Sequence, residues 1–304
     1  MTTTRLDKKS DNQLWLAAIK PPMYSVAVIP ITVGTAVAFA ENKIIHGEIF
    51  LCFLISAILI IAWLNISNDV FDAETGIDAN KAESLVNLTG NKSLLFWLSN
   101  IFLSCGIFGI LAIAYLQQDW TVLKIILLCC ILGYTYQGPP FRLGYQGLGE
   151  LICFISFGPL AVSAAYYSQT QNFSLTSIFI SVIVGITTSI ILFCSHFHQV
   201  EDDLGAGKLS PVVRFGTNKC SQILIGAVGS IYVLNLLFVV LGYLSYWTLI
   251  IMASLPIAYK LINYVREYHS QPQKIKSCKY IAVKLHFFSG ILLTLGLLLS
   301  AVKV

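Results

Sequence analysis

The sequence predicts an all-α integral membrane protein with nine transmembrane helices. Of its 304 residues, 56% are hydrophobic and only 11% are charged, and the mean hydropathy is +0.76. Soluble domains carry about a quarter charged residues. Apolar runs of roughly 20 residues, the length that crosses about 30 Å of hydrocarbon, recur along the whole chain. A soluble fold would have too few polar residues to coat its surface.

Nine apolar runs, separated by polar breaks, define the predicted helices. They fall at residues 23–40, 48–67, 93–116, 121–137, 148–168, 174–197, 220–243, 245–265 and 282–303. The weakest break is residues 241–248, so a count of eight is the alternative. We expect one domain over residues 1–304, with a polar tail at residues 1–14 that carries no signal-peptide pattern.

The distribution of charge indicates how the helices are oriented. With nine spans and a cytoplasmic N-terminus, all of the 19 lysines and arginines except Lys43, Lys124 and Lys303 fall on the cytoplasmic side. Eight of the 15 acids lie in two loops on that side, after spans 2 and 6. Since these loops are four spans apart, we expect two four-helix halves plus one helix, around a central lipid-accessible cavity.

The first acidic loop has the pattern of a metal site at the end of a helix. Asn65, Asn68, Asp69 and Asp72 are three or four residues apart and share one helical face. Carboxylates this close repel one another unless a cation lies between them, and oxygen ligands suit Mg²⁺ that is shared with phosphate. A solvated helix end is the alternative, but polar groups beside so apolar a run are usually functional.

The second acidic loop combines acids with cations. Glu201, Asp202 and Asp203 precede a Gly-Ala-Gly-Lys turn that ends at Lys208, and Arg214 follows shortly after. Acids that hold a metal, together with cations that neutralise phosphate, form a coherent arrangement for binding a diphosphate ester.

Several single residues have two open interpretations. Asp78 is a weaker ligand candidate, and Lys81 is either a phosphate ligand or a solvated lysine. His198 is a candidate for hydrogen bonding or for a catalytic base. Lys20, beside two prolines at the chain start, either reaches the membrane surface or binds a substrate carboxylate.

A glycine-rich and proline-rich stretch at residues 133–150 lies on the same side of the membrane. A tight turn between two helices accounts for its glycines and prolines. The face of Tyr134 can also stabilise a developing allylic cation, and Arg142 can pair with an acid or a phosphate.

The first acidic loop resembles that of the UbiA superfamily of intramembrane aromatic prenyltransferases, and the resemblance covers essentially the full chain. The sequence Asn68-Asp69-x-x-Asp72, followed by Gly76 and Asp78, is similar to the first Asp-rich motif of that family.

The second Asp-rich motif of the family falls on residues 199–203, where Gln199 replaces its first Asp. Residues 134–150 and 207–214 resemble the MenA branch, which prenylates 1,4-dihydroxy-2-naphthoate. The run from His198 to Asp203 resembles the plant and cyanobacterial form, whose donor is phytyl diphosphate.

This resemblance implies a Mg²⁺-dependent transfer of a phytyl group to 1,4-dihydroxy-2-naphthoate with loss of CO₂ and diphosphate, in phylloquinone or menaquinone biosynthesis. The implied catalytic acids are Asp69, Asp72 and Asp203, and the implied metal ligands are Asn68, Asp69, Asp72, Asp202 and Asp203. The implied diphosphate ligands are Asn65, Lys81, Lys208 and Arg214. The residues implied to bind the acceptor or stabilise the cation are Lys20, Tyr134, Arg142, His198 and Gln199.

The resemblance also implies small-molecule substrates and membrane lipids as partners, no nucleic acid, and a thylakoid or bacterial inner membrane. A longer polyprenyl donor and another acceptor such as homogentisate remain alternatives. A transporter is the alternative of another class, although its acids should lie near mid-membrane on broken helices. A membrane phosphotransferase would carry a DGxxAR signature, which the sequence lacks.

Overall fold

The structure is a computed structural model that describes residues 11–78, 81 and 83–302, and every regular element in them is helical. In chain order the helices are α1 (Asp11–Ile19), α2 (Ser25–Asn42), α3 (Gly47–Thr75), α4 (Leu85–Thr89), α5 (Lys92–Gln117), α6 (Thr121–Gln137), α7 (Gly149–Ile155), α8 (Ala161–Thr170), α9 (Leu175–His196), α10 (Val200–Gly205), α11 (Pro211–Val240), α12 (Leu255–Tyr268), α13 (Pro272–Ile275) and α14 (Cys278–Val302). Most of the predicted polar tail, and Lys303, lie outside the described residues.

Eight helical stretches within the described residues are long and apolar enough to cross a membrane. They are Leu14–Asn42, Gly47–Thr75, Lys92–Gln117, Gly149–Thr170, Leu175–His196, Pro211–Val240, Tyr246–Tyr268 and Pro272–Val302. The remaining predicted span is α6, an apolar helix of 17 residues that is about 25 Å long. The predicted class is therefore confirmed, while the predicted count of nine full-length spans is not exact.

Two of the spans contain turns that are not α-helical. A π turn at Ser156–Leu160 joins α7 to α8, and it contains Pro159, which cannot donate a helical hydrogen bond. The span that ends in α12 begins with a 3₁₀ segment, Tyr246–Ser254. The break before that segment is real, because Gly242 reverses the chain with φ of 79°.

Two large buried apolar clusters hold the helices together, and a third, smaller one joins α1, α3, α4 and α5. The first draws residues such as Ile31, Ile110 and Ala164 from α2, α3, α5, α6 and α8. The second draws residues such as Ile183 and Leu261 from α2, α8, α9, α11, α12 and α14. Helix α14 packs on both α2 and α9. The clusters match the two predicted halves, and α2 and α8 belong to both.

Helix α3 carries the first acidic motif because it extends beyond the predicted span. It continues to Thr75 and ends at Gly76, whose φ of 76° places it in the left-handed region and whose amide donates to the carbonyl of Asp72. Asn65, Asn68 and Asp72 are therefore on one helical face, as expected for residues three and four positions apart.

Helices α2 and α8 approach most closely at Gly34. A Cβ at this position would lie 2.5 Å from the carbonyl oxygen of Val162 and 2.7 Å from Cβ of Ala165. Glycine at this position lets the two backbones touch, which is a common way to pack helices where lipid supplies no hydrophobic driving force.

We predict that Gly34→Ala lowers the thermal midpoint of the detergent-solubilised protein, because overpacking a close contact costs about 1–3 kcal/mol. Gly226→Ala on α11 is the matched control, since a Cβ there meets nothing within 4 Å. It should leave the midpoint unchanged or raise it. Equal midpoints for the two variants would contradict the close approach of α2 and α8.

Candidate active site

A cavity of about 1010 Å³ lies among the helices, and α2, α3, α6, α7, α9 and α14 contribute to its wall. Most of its wall is apolar, with Phe53, Ile60, Ile126 and Ile191 among the lining residues. One end of the cavity is polar. The polar lining residues are Lys20, Asn65, Asn68, Asp78, Lys81, Glu83, Ser195, His198, Gln199, Asp202, Gln273, Lys276 and Lys279. The predicted cavity is present, and it is amphipathic.

Residues of both acidic loops reach the polar end of the cavity. Asn68 and Asp78 line it from the first loop, and Gln199 and Asp202 line it from the second. The structure therefore places the substituted position, Gln199, on the cavity wall beside the acids.

Asp72, near the end of α3, is held by residues of α6 and of the loop that follows it. Gln137 donates to its Oδ1 atom, and the hydroxyl of Tyr145 lies 3.3 Å from the same oxygen. Oδ2 of Asp72 accepts no hydrogen bond within the described part of the chain, and Asp72 is not among the residues that line the cavity. The charge of Lys208, from the second loop, acts on Asp72.

The carboxylate of Asp69 is occupied by the protein itself. Its side chain is 1% exposed, its Oδ1 atom lies 2.9 Å from Nζ of Lys20, and its Oδ2 atom accepts the amide of Leu85 at 3.0 Å. Asp69 does not line the cavity. In this structure Asp69 ties the N-terminal segment and the start of α4 to α3, and its role as a metal ligand stays a prediction.

Asp203 is likewise enclosed. It is fully buried, with His196 Nδ1 3.2 Å from Oδ2 and Lys208 Nζ 3.4 Å from Oδ1. Burial opposes the charge on Asp203, but His196 and Lys208 outweigh it and hold the pKa of this carboxyl below its usual range. Of the two neighbouring acids, Asp202 lines the cavity and Asp203 holds the loop through His196 and Lys208, while the ligand role of Asp203 stays a prediction.

The loop between α6 and α7 connects the two acidic loops. Tyr145 contacts Asp72 through its hydroxyl, its carbonyl accepts the amide of Leu209 at 2.8 Å, and Lys208 lies 5.8 Å from its ring centroid. Burial and the charge of Asp72 raise the pKa of Tyr145, so this hydroxyl stays protonated. Tyr145 thus fixes the distance between the two motifs.

Lys81 and His198, which line the cavity from the two acidic loops, have perturbed pKa values. Burial disfavours the charge of Lys81, but Asp78 and Asp69 outweigh it and raise the pKa of Lys81. Lys81 Nζ donates to Asp78 at 2.7 Å. Burial, followed by the charges of Lys279 and Lys276, lowers the pKa of His198 to about 3. Lys81 is therefore a stable cation, and His198 is neutral.

Besides Asp69, Asp72, Asp203 and Lys208, three more predicted site residues do not line the cavity: Tyr134, Arg142 and Arg214. Tyr134 donates to the carbonyl of Pro139, and its ring packs edge-on against Phe71, so it faces no cation-binding space. Arg142 lies 3.3 Å from a carboxylate oxygen of Glu74.

Arg214 donates to the carbonyls of Leu209 and Gln146 at 3.0 and 2.6 Å. Like Arg142, it braces a loop rather than reaching a ligand. Tyr136, two residues after Tyr134, does line the cavity.

The donor set of the cavity fits a magnesium ion that is shared with phosphate. No three His, Cys, Asp or Glu side chains in the described ranges are grouped closely enough to hold an ion alone. Mg²⁺ usually takes only one or two carboxylates and completes its shell with water and phosphate oxygens. Asn68, Asp78 and Asp202 on the wall, with Oδ2 of Asp72, are donors of this kind.

Comparison with known proteins identifies the family. Residues 27–299 match the UbiA prenyltransferase family.

The chain belongs to the UbiA prenyltransferase family.

Two relatives carry the name 2-carboxy-1,4-naphthoquinone phytyltransferase. The relative from Synechocystis sp. is 60% identical over 93% of this chain and 92% of its own length. The chloroplastic relative from Arabidopsis thaliana is 40% identical over 93% of this chain and 76% of its own length. Among solved structures, a UbiA homologue from Archaeoglobus fulgidus bound to GPP and Mg²⁺ has the same fold, with a TM-score of 0.58, 16% identity, and coverage of 92% of this chain and 99% of that chain.

The sequence interpretation of this UbiA protein missed several residues of the site. Gln137 and Tyr145, which hold Asp72, lie in or near a stretch interpreted mainly as a turn. Lys276 and Lys279 belong to a basic stretch that membrane orientation explained completely. Polar residues just before a predicted span were the available signal for the two lysines.

We predict that Lys20→Met destabilises the protein by about 3–5 kcal/mol, because it leaves the buried carboxylate of Asp69 without its cation. The double variant Lys20→Met with Asp69→Asn should recover much of the loss, because the charge is removed and the amide of Leu85 keeps an acceptor. Thermal midpoints of the single and double variants measure the coupling. Strict additivity of the two changes would disprove the ion pair.

Proposed function

We propose that this protein transfers a phytyl group from phytyl diphosphate to 1,4-dihydroxy-2-naphthoate, with loss of CO₂ and diphosphate. The two relatives named 2-carboxy-1,4-naphthoquinone phytyltransferase each align with 93% of this chain. The observation that carries the proposal is the amphipathic cavity, whose polar end has oxygen donors and lysines and whose body is apolar. A diphosphate with a long hydrocarbon chain is likewise polar at one end and apolar along the rest of its length.

The polar end binds and orients the diphosphate. Asn68, Asp78, Asp202 and Oδ2 of Asp72 would hold Mg²⁺, which supplies a Lewis acid that neutralises the charge of the leaving group. Lys81 lies next to Asp78 and adds a permanent positive charge for the same oxygens.

Lys208 reaches the site indirectly, by fixing Asp203 and the turn after it. Asn65 lines the wall one turn before Asn68, and its Nδ2 atom has no hydrogen-bond partner in the described part of the chain. An oxygen of the diphosphate suits this donor.

The apolar body of the cavity receives the phytyl chain and keeps water from the allylic carbon. In the reaction, the bond between this carbon and the diphosphate oxygen breaks, and the naphthoate carbon that bears the carboxylate attacks. Loss of CO₂ then restores the aromatic ring and gives a demethylphylloquinol. Tyr136 is the tyrosine whose ring lies on the cavity wall, so it takes the cation-stabilising role that the sequence suggested for Tyr134.

The proposed acceptor, 1,4-dihydroxy-2-naphthoate, is the reduced form of the 2-carboxy-1,4-naphthoquinone that appears in the names of the two relatives. A hydroquinone ring is electron-rich and attacks an electrophilic carbon, whereas a quinone ring is electron-poor. We also propose that the N-terminus and both acidic loops face the cytoplasm, in a thylakoid or bacterial inner membrane, as the positive charges favour.

The proposal is tested with purified protein in lipid nanodiscs under anaerobic conditions. We expect a Mg²⁺-dependent product from phytyl diphosphate and 1,4-dihydroxy-2-naphthoate, and none after chelation of the metal. Homogentisate, 4-hydroxybenzoate, the oxidised acceptor and longer prenyl diphosphates are the comparison substrates. If no pair of substrates gives a product, the assignment as an enzyme is overturned. If a longer prenyl diphosphate reacts faster than phytyl diphosphate, only the choice of phytyl as the donor is overturned.

We predict that Asp202→Asn reduces turnover by at least about 100-fold, a loss of roughly 2.7 kcal/mol in transition-state stabilisation, and raises the Mg²⁺ concentration needed for half-maximal activity. The neighbouring Glu201→Gln is the matched control, because Glu201 is exposed and does not line the cavity. It should retain near-normal turnover. Equal losses for both variants would exclude a specific ligand role for Asp202.

A further inference from the structure

The four lysines that line the cavity in the described part of the chain differ in their partners. Lys20 is paired with Asp69 at 2.9 Å, Lys81 with Asp78 at 2.7 Å, and Lys276 with Glu83 at 3.2 Å. The fourth, Lys279, makes no ion pair among the described residues, although it feels the charge of Glu83, the partner of Lys276. Its Nζ atom lies 5.3 Å from the centroid of the Tyr280 ring, and Tyr280 also lines the cavity.

The surroundings of Lys279 are positive. The charges of Lys81, Lys20 and Lys276 act on it and outweigh the opposing charge of Glu83, and its side chain is half-buried at the start of α14. A half-buried cation among other cations is unfavourable unless an anion joins it. A cleft lined by one sign of charge also concentrates ligands of the opposite sign. This part of the wall is therefore suited to an anionic group of a ligand.

We infer that Lys279 binds the carboxylate of the aromatic acceptor, with the acceptor ring against Tyr280; this inference rests on the proposed function. Lys81, next to Asp78, serves the diphosphate and its metal ion. The carboxylate whose charge acts on Lys279 is that of Glu83, which is already paired with Lys276. A single cation beside an aromatic ring matches an aromatic acid, which has one negative charge and a flat apolar face.

His198 supports the same assignment. It lines the cavity, is within the electrostatic reach of Lys279, and is half-buried. Its Nδ1 atom has no hydrogen-bond partner within the described residues. A hydroxylated aromatic acid supplies a carboxylate for Lys279 and a hydroxyl for this nitrogen. Lys20, to which the sequence assigned the carboxylate, already binds Asp69.

The test compares Lys279→Met with Lys260→Met, an exposed lysine on α12 that does not line the cavity. For Lys279→Met we expect the KM for 1,4-dihydroxy-2-naphthoate to rise by about 10-fold to 100-fold, the loss of one charged hydrogen bond. The KM for phytyl diphosphate should stay within about twofold of wild type, a change much smaller than the loss of one charged hydrogen bond would cause. The control should match wild type for both substrates.

A second measurement isolates the carboxylate. 1,4-Dihydroxynaphthalene lacks this group, so its inhibition constant against the acceptor should be equal in wild type and Lys279→Met. Direct binding of radiolabelled acceptor to protein in nanodiscs, without donor, should weaken by the same factor as KM. A rise in the donor KM instead would assign Lys279 to the diphosphate and overturn the inference, as would unchanged binding of the acceptor.

Two further controls separate the possible failures. Lys279→Arg keeps the charge and should bind the acceptor better than Lys279→Met, and thermal midpoints verify that all variants are folded. If Lys279→Met does not fold, the shorter neutral variant Lys279→Gln replaces it in the comparison. The inference is then overturned if Lys279→Arg binds the acceptor no more tightly than Lys279→Gln. If wild type forms no product from 1,4-dihydroxy-2-naphthoate with any donor, the proposed function fails first.

Discussion

The organising constraint in this protein is that carboxylates at the polar end of a membrane cavity must be neutralised. An ionised carboxylate is costly where water is scarce, and removing one member of a buried pair leaves an uncompensated charge. Asp69 and Asp203 meet this constraint with protein cations, Lys20 and Lys208. Their ion pairs fix the segments around them, and the acids next to each pair are left to face the cavity.

This division of labour explains why the two Asp-rich motifs contain more acids than one diphosphate site requires. In each motif one acid is an anchor and others are available to ligands. Asp69 anchors the first motif, while Asp78 lines the cavity and Asp72 is held by Gln137 and Tyr145. Asp203 anchors the second, while Asp202 lines the cavity beside Gln199. The substitution at position 199 therefore removes one potential charge from a wall that still holds an acid.

The sequence was sufficient for the class, the positions of the helices and the two loops that form the site, because hydrophobic runs and motif spacing are local properties. It was insufficient to predict which individual side chains point into the cavity. Asp202 and Asp203 are adjacent and chemically identical, and they differ only because consecutive residues of α10 point about 100° apart. Tyr134 and Tyr136 differ for the same reason. The pairing of Lys20 with Asp69 crosses 49 positions, so no local pattern could reveal it.

The length of α6 gives the surrounding bilayer a role in this enzyme. At about 25 Å, α6 is shorter than the roughly 30 Å hydrocarbon layer beside it, and a short span is accommodated by local thinning at a fraction of a kcal/mol per Å of mismatch. Because α6 places Ile126 and Tyr136 on the cavity wall, we expect the thickness of the host membrane to influence the packing of the wall against which the reactive end of the prenyl chain would be held.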